Sequence, residues 1–170
     1  RVLYRLHESG YKAFLVGGAV RDLLLGGHPK DFDVATDATP EQTRTLFRNS
    51  RLIGRRFRLA HVVFGREIVE VATFRGIGEV GDSDRHVVDG RIVRDNVYGS
   101  IEEDAIRRDF TINAMAISLN KNNFGELVDP FNGINDLELK NIQTPLAPAQ
   151  TFSDDPLRMM RAIRFASQLH

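Results

Sequence analysis

Residues 15–36, LVGGAVRDLLLGGHPKDFDVAT, constrain the fold more tightly than any other stretch of the chain. The run over residues 13–16 is short, apolar and continuous, the pattern of a buried strand. Gly17-Gly18 interrupts it and opens an amphipathic helix over about residues 19–25. Gly26-Gly27-His28-Pro29 supplies turn chemistry, and Lys30-Asp31-Phe32-Asp33-Val34 follows as a second strand. Residues two apart in a strand share a face, so Asp31 and Asp33 project together while Phe32 and Val34 turn to the core. Two adjacent carboxylates repel unless a cation lies between them. Hard oxygen donors in such a pair suit Mg²⁺, which is commonly held by one or two carboxylates plus substrate phosphates. A glycine pair ahead of a helix offers backbone N–H groups and a positive dipole end to those phosphates. Each part alone has a structural explanation: a solvated strand face, a tight turn, a surface Arg21–Asp22 ion pair. Together, a phosphate cradle and a metal pair one helix apart suggest nucleotidyl transfer.

The remaining pattern is that of an α/β domain. Residues 1–9 read as an amphipathic helix with Val2, Leu3 and Leu6 on one side, ended by Gly10. Thr39 as N-cap and Pro40 at the first position start a helix running to about Phe47. Residues 51–53 and 59–64 read as strands, the second apolar enough to be central, and residues 68–74 as another that pairs with it beyond a turn at Gly65-Arg66-Glu67. Alternating strands and helices followed by a hairpin-like pair indicate a mixed sheet with helices packed on it. Residues 75–96 mix glycines and charges without a period and read as a mobile loop, either plain surface or a substrate lid. Residues 101–115, IEEDAIRRDFTINAM, read as one helix with a Ser100/Glu103 capping box and Asp104 complementing its start. On that helix Asp109 and Asn113 share a face, and Arg107 and Arg108 lie beside them; intrahelical Glu–Arg pairing on a solvated face is the alternative. Residues 116–119 and 126–128 form a hairpin, and residues 134–139 a short helix.

Pro145 and Pro148 mark a linker, which divides the chain into a domain over residues 1–147 and the start of another at 148. Residues 153–170, SDDPLRMMRAIRFASQLH, read as a helix capped by Ser153 or Asp154. Asp155, Arg158, Arg161 and Arg164 are spaced by three, which makes a sloping stripe. Either they converge on a triphosphate or a base edge, or they are the polar flank of a helix whose Leu157, Met160 and Ile163 face the core.

Three of these stretches, in this order, resemble the polymerase β-like nucleotidyltransferases: LVGGAVRDLLLG with KDFDVAT, then RRDFTINAM, then DDPLRMMRAIRFA. Their form is similar to the bacterial branch that contains tRNA CCA-adding enzymes and poly(A) polymerases. The resemblance implies an α/β head with a small mixed sheet, followed by the start of an all-helical neck. It implies that Asp31 and Asp33 hold the catalytic Mg²⁺ ions and that Asp109 is a third carboxylate. Glu70, on a strand beside the DxD strand, ranks second for that place. Gly18, with Gly17 before it, and Arg21 meet the nucleoside triphosphate. Arg108, or Arg107 in its stead, also meets it, and Asn113 meets the ribose. Asp155, Arg158, Arg161 and Arg164 position the nucleotide.

The implied reaction is attack of an RNA 3′-hydroxyl on the α-phosphorus of ATP, releasing pyrophosphate. Its partners are ATP, with CTP as the alternative, and the 3′ end of an mRNA or a tRNA. LIGRRFRLAHVVF and RDNVYGSIEEDA resemble poly(A) polymerases, whereas residues 126–170 are closer to CCA-adding enzymes. Poly(A) addition is therefore the expectation and CCA addition the alternative. The cluster Arg55-Arg56-Phe57-Arg58 is either a solvated loop or a site for RNA phosphates, which are contacted without reading sequence. A noncatalytic RNA- or nucleotide-binding domain is the opposing reading, and clustered carboxylates near a polyanion argue against it.

Charge and composition narrow the choice. Lys plus Arg and Asp plus Glu both number 23, so the formal net charge is zero. That is not the basic balance of a nucleic-acid binder, so basic residues are segregated on one face or the RNA-binding surface lies outside this chain. Without cysteine, disulfides, thiolate chemistry and Cys-ligated zinc are excluded. No apolar run approaches a membrane span and no signal peptide is visible, so the expected location is cytoplasmic. The chain opens on Arg1 within a helical pattern and reaches His170 with another still running, as a piece of a longer protein would.

Overall fold

A computed structural model describes residues 1–54, 58–77, 85–88, 91–95 and 98–169. Helix α1 (Val2–Glu8) leads into β1 (Ala13–Val16), buried at every position. Helix α2 (Gly18–Leu24) follows directly, and β2 (Asp33–Thr36) runs back antiparallel to β1. Helix α3 (Pro40–Leu46) starts on the expected residues. The Thr39 hydroxyl accepts from the Gln42 N–H, and the Gln42 side chain accepts from the Thr39 N–H. Strands β3 (Ser50–Ile53), β4 (Leu59–Phe64) and β5 (Glu67–Thr73) form an antiparallel meander. Strand β5 then pairs parallel with β2. After α4 (Ile101–Ile106) and a 3₁₀ turn (Thr111–Asn113), β8 (Ala116–Ser118) and β9 (Leu127–Val128) close the far edge as a hairpin. Strands β6 (Arg85–Val88) and β7 (Arg91–Asp95) pair separately. The main sheet has the order β3-β4-β5-β2-β1-β8-β9, with β2 at its centre. The fold is thus the mixed α/β sheet expected.

Helices α1 and α3 cover one face. Val2 and Leu6 pack with Phe47, Val34, Val62 and Val71. A second core joins Leu15 and the α2 residues Ala19 and Val20 to Phe110, Ile112 and Met115. It also takes in Leu137 of α5 (Gly133–Glu138) and Phe165 of α7 (Leu157–Gln168). Among the described residues no helix is long and apolar enough to cross a membrane.

The structure departs from the sequence reading in five places. Strand β2 begins at Asp33, so Asp31 and Phe32 precede it; Phe32 is 45% exposed and does not face the core. Residues 101–115 are not one helix. Helix α4 ends after Ile106, and the Asp109 carboxylate accepts from the Phe110 N–H, a local bond that competes with helix. Beyond it, Thr111 donates its N–H to the Gln143 carbonyl and its hydroxyl to Asp136, contacts that hold the 3₁₀ turn. Residues 153–170 divide into α6 (Pro148–Asp154) and α7. Asp155 is extended, as a residue before proline prefers, and its side chain accepts from the Leu157 N–H, so neither Ser153 nor Asp154 is the cap.

Leu157, Met160 and Ile163 do not face the core: they are 70%, 66% and 66% exposed, and Phe165 is the buried residue of α7. Strands β6 and β7 lie within the stretch read as a loop. Its remaining residues 78–84, 89–90 and 96–97, and the cluster at residues 55–57, fall outside the described residues.

Candidate active site

Strand register brings the acidic groups together. Cross-strand partners share a face of the sheet. Asp33 on β2 stands opposite Glu70 on β5, and Glu70 opposite His61 on β4, with His61 Nε2 3.0 Å from Glu70 Oε1. Burial, then the negative charge of Glu70, pushes the Asp33 carboxyl above its ordinary pKa, although Arg108 pulls the other way. Asp31 is exposed and lies outside the strand, and its charge adds to the same upward push. Among the described residues no group of three or more His, Asp or Glu side chains could hold a metal ion by itself. Two neighbouring carboxylates, with Asp33 held above its ordinary pKa first by burial and then by the charge of Glu70, fit a hard divalent cation that completes its shell with substrate oxygens.

A cavity of about 400 Å³ opens beside Asp33. Gly17, Gly18, Arg21, Asp33, Arg108, Asp109, Asn113, Asp155, Arg158, Arg161 and Arg164 all line it. Of the carboxylates singled out in the sequence, Asp31 and Glu70 do not line it. Gly17 has φ +74°, a backbone region that side chains strain to adopt. A Cβ placed there would lie 3.4 Å from Arg108 Nη1 and 3.8 Å from Asp33 Oδ2. No side chain caps the start of α2, which leaves its first backbone N–H groups for an anion at the glycine turn.

The walls are held by polar contacts across elements. Arg21 does pair with Asp22, at 2.8 Å, but its Nη1 donates to Asn113 Oδ1 at 2.9 Å. Asn113 Nδ2 in turn donates to Asp109 Oδ1, and Arg161 Nε donates to Asp109 Oδ2 at 2.5 Å. Asp109 and Asn113 therefore meet although no single helix carries both. Arg158 donates to the Arg107 carbonyl at 2.7 Å, and burial depresses its guanidinium pKa. The guanidinium carbons of Arg21, Arg161 and Arg164 lie 5.0, 5.3 and 4.9 Å from the Phe165 ring centroid, within cation–π range.

A second cavity of about 190 Å³ meets the first at Asp33, Arg75 and Arg108, which line both. Its other walls include Val16, Leu59, Glu70, Tyr98 and Asp104. Sequence reasoning missed Arg75, Phe165 and His61 as site residues. The only signal for His61 was its place in a strand pairing with that of Glu70. Arg75 follows β5 in a stretch with no period, and nothing in the sequence set it apart.

Comparison with known proteins agrees with this fold. Residues 13–143 match the family described as the Poly A polymerase head domain. Poly(A) polymerase I of Salmonella typhi is 55% identical over the whole chain, and the CCA-adding enzyme of Bacillus pumilus is 46% identical over 99% of it. The chain spans 37% and 40% of the lengths of those two relatives. The crystal structure of the Bacillus stearothermophilus CCA-adding enzyme in complex with CTP superimposes with a TM-score of 0.78. It is 38% identical, and the match covers 98% of this chain and 37% of that one. With the family matched from β1 to beyond α5, and the same fold found at this identity, the chain belongs to the poly(A) polymerase head-domain family of nucleotidyltransferases.

Proposed function

We propose that this chain is the catalytic head of a template-independent RNA 3′-end nucleotidyltransferase that adds AMP from ATP. The observation that carries this reading is the charge of the larger cavity. Seven arginines and three aspartates line it, a surplus of four positive charges in a chain whose net charge is zero. A nucleoside triphosphate matches that surplus in sign. Gly17, Gly18, Arg21 and Arg108 would take the phosphates, and Asp155, Arg158, Arg161 and Arg164 would position the nucleotide. The RNA 3′-hydroxyl would enter from the second cavity, where Asp33 and Glu70 stand to receive its proton. Its oxygen bonds to the α-phosphorus as the bond to the pyrophosphate oxygen breaks.

Mg²⁺, held by Asp33 with Asp31 or Glu70, would supply activation of the hydroxyl and stabilisation of the leaving oxygen. Glu70 suits the third carboxylate place better than Asp109. Glu70 is the lateral neighbour of Asp33, whereas both Asp109 oxygens are engaged by Arg161, Asn113 and the Phe110 N–H. Residues from 148 onward would open a helical neck docked on the head through Phe165, Arg158 and Arg161.

Poly(A) addition is favoured because the poly(A) polymerase I of Salmonella typhi is more similar than the CCA-adding enzyme of Bacillus pumilus, 55% against 46%. The test uses the full-length protein with Mg²⁺ and a generic RNA, or a tRNA lacking its 3′ end, each with ATP, CTP or both. Long A tails on the generic RNA with CTP ignored are expected. CTP-dependent addition confined to the tRNA would replace this reading with CCA addition. Nucleotide binding without incorporation on either RNA would leave a noncatalytic binding domain.

A further inference from the structure

Asp104 is the most deeply buried charged side chain among the described residues, 3% exposed. In the sequence it is one of three acids at a helix start. In the structure it faces away from that role and grips two arginines. Its Oδ1 accepts from the Arg75 N–H at 3.1 Å and from Arg75 Nε at 3.5 Å. Its Oδ2 accepts from Arg108 Nε at 3.1 Å and Nη2 at 2.9 Å. Burial opposes its ionisation, yet Arg108 and Arg75 hold its carboxyl below the ordinary pKa, so the grip is between charged groups.

A guanidinium presents its nitrogens in a rigid planar fork. With Nε and Nη2 of Arg108 committed to Asp104, the orientation of Nη1 is set. Nη1 is the atom that faces the glycine turn, 3.4 Å from where a Cβ on Gly17 would sit. Arg108 and Arg75 both line the boundary of the two cavities.

We propose that Asp104 is a positioning residue for nucleotidyl transfer, holding Arg108 edge-on so that its Nη1 meets the phosphates over Gly17 and tying Arg75 into the same grip. This rests on the reading of the larger cavity as a triphosphate site. Asp104 touches neither substrate; it acts by fixing a donor that would otherwise rotate and repel its arginine neighbours.

The experiment is steady-state kinetics and equilibrium ATP binding on the full-length protein, with Asp104→Asn, Arg108→Ala, their double variant and Arg108→Lys. Asp104→Asn is expected to raise the ATP KM about tenfold or more, the scale of one charge-assisted hydrogen bond, with the RNA KM little changed. The double variant should be no worse than Arg108→Ala alone, because Asp104 acts through Arg108. Multiplying losses, or an equal rise in the RNA KM, would mean a merely structural role and overturn the proposal. Arg108→Lys keeps the charge but cannot make the two-nitrogen contact, so it decides the matter even if Asp104→Asn fails to fold. A weakened ATP affinity is expected, and wild-type affinity would overturn the proposal. A wild-type protein that binds ATP but transfers nothing would sink the transfer reading alone; one that binds no ATP would sink both.

Discussion

Asp33→Asn is expected to reduce turnover by about a thousandfold or more without lowering the melting temperature at neutral pH. Asp33 is the carboxylate that lines both cavities, and it stands opposite Glu70, so the proposed transfer depends on it. Its effect on stability runs the other way. The folded-state pKa is raised by burial and by Glu70. For an acid, that stability is complete below the ordinary value of 3.8 and is lost as pH rises through the raised folded value. At pH 7 the ionised Asp33 therefore works against the fold, and asparagine removes the repulsion. Melting curves of the ligand-free proteins should show the variant equal to or above wild type at pH 7, with the gap closing as pH falls toward the carboxylate range. More than about a tenth of wild-type incorporation, or a variant that melts well below wild type at pH 7, would contradict this role.

The arginines of α7 should separate into two kinds. Arg161 donates to Asp109, whose side chain is 7% exposed. Arg161→Ala leaves that carboxylate buried with only the Phe110 N–H and Asn113 as donors. The expected cost is about 1–3 kcal/mol of folding stability, together with a rise in the ATP KM. Arg164 lies over the Phe165 ring and is exposed. Arg164→Ala should weaken ATP several-fold while changing stability little, since an exposed cation contributes about 0–1 kcal/mol. Denaturant melts and ATP titrations on both variants check this. Equal stability losses would contradict the Asp109 anchor, and unchanged ATP affinity in both would remove the α7 arginines from the nucleotide site.

Local signals survived folding where local chemistry decided the outcome. The Thr39 and Ser100 caps formed as written, because a hydroxyl and a long polar side chain three residues on satisfy each other without outside help. The glycine turn did likewise, whereas the strand read from Lys30 begins only at Asp33. What was not legible was set by partners distant in sequence. The stretch over residues 101–115 looks helical, but Gln143 and Asp136 capture Thr111 and stop it. The two faces of α7 are comparable in periodicity, and only the resemblance of its motif favoured the arginine face. Asp109, the Arg107 carbonyl and Phe165 draw the arginine face inward and leave Met160 and Ile163 outside. Asp104 resembled its acidic neighbours until Arg75, from beyond β5, reached it.

The charge surplus of the larger cavity is tested most directly by equilibrium binding of ATP, ADP, AMP and adenosine to the full-length protein. Affinity that drops with each phosphate removed, and that weakens with added salt, is the expected result. Adenosine binding as tightly as ATP would contradict a triphosphate site among these arginines.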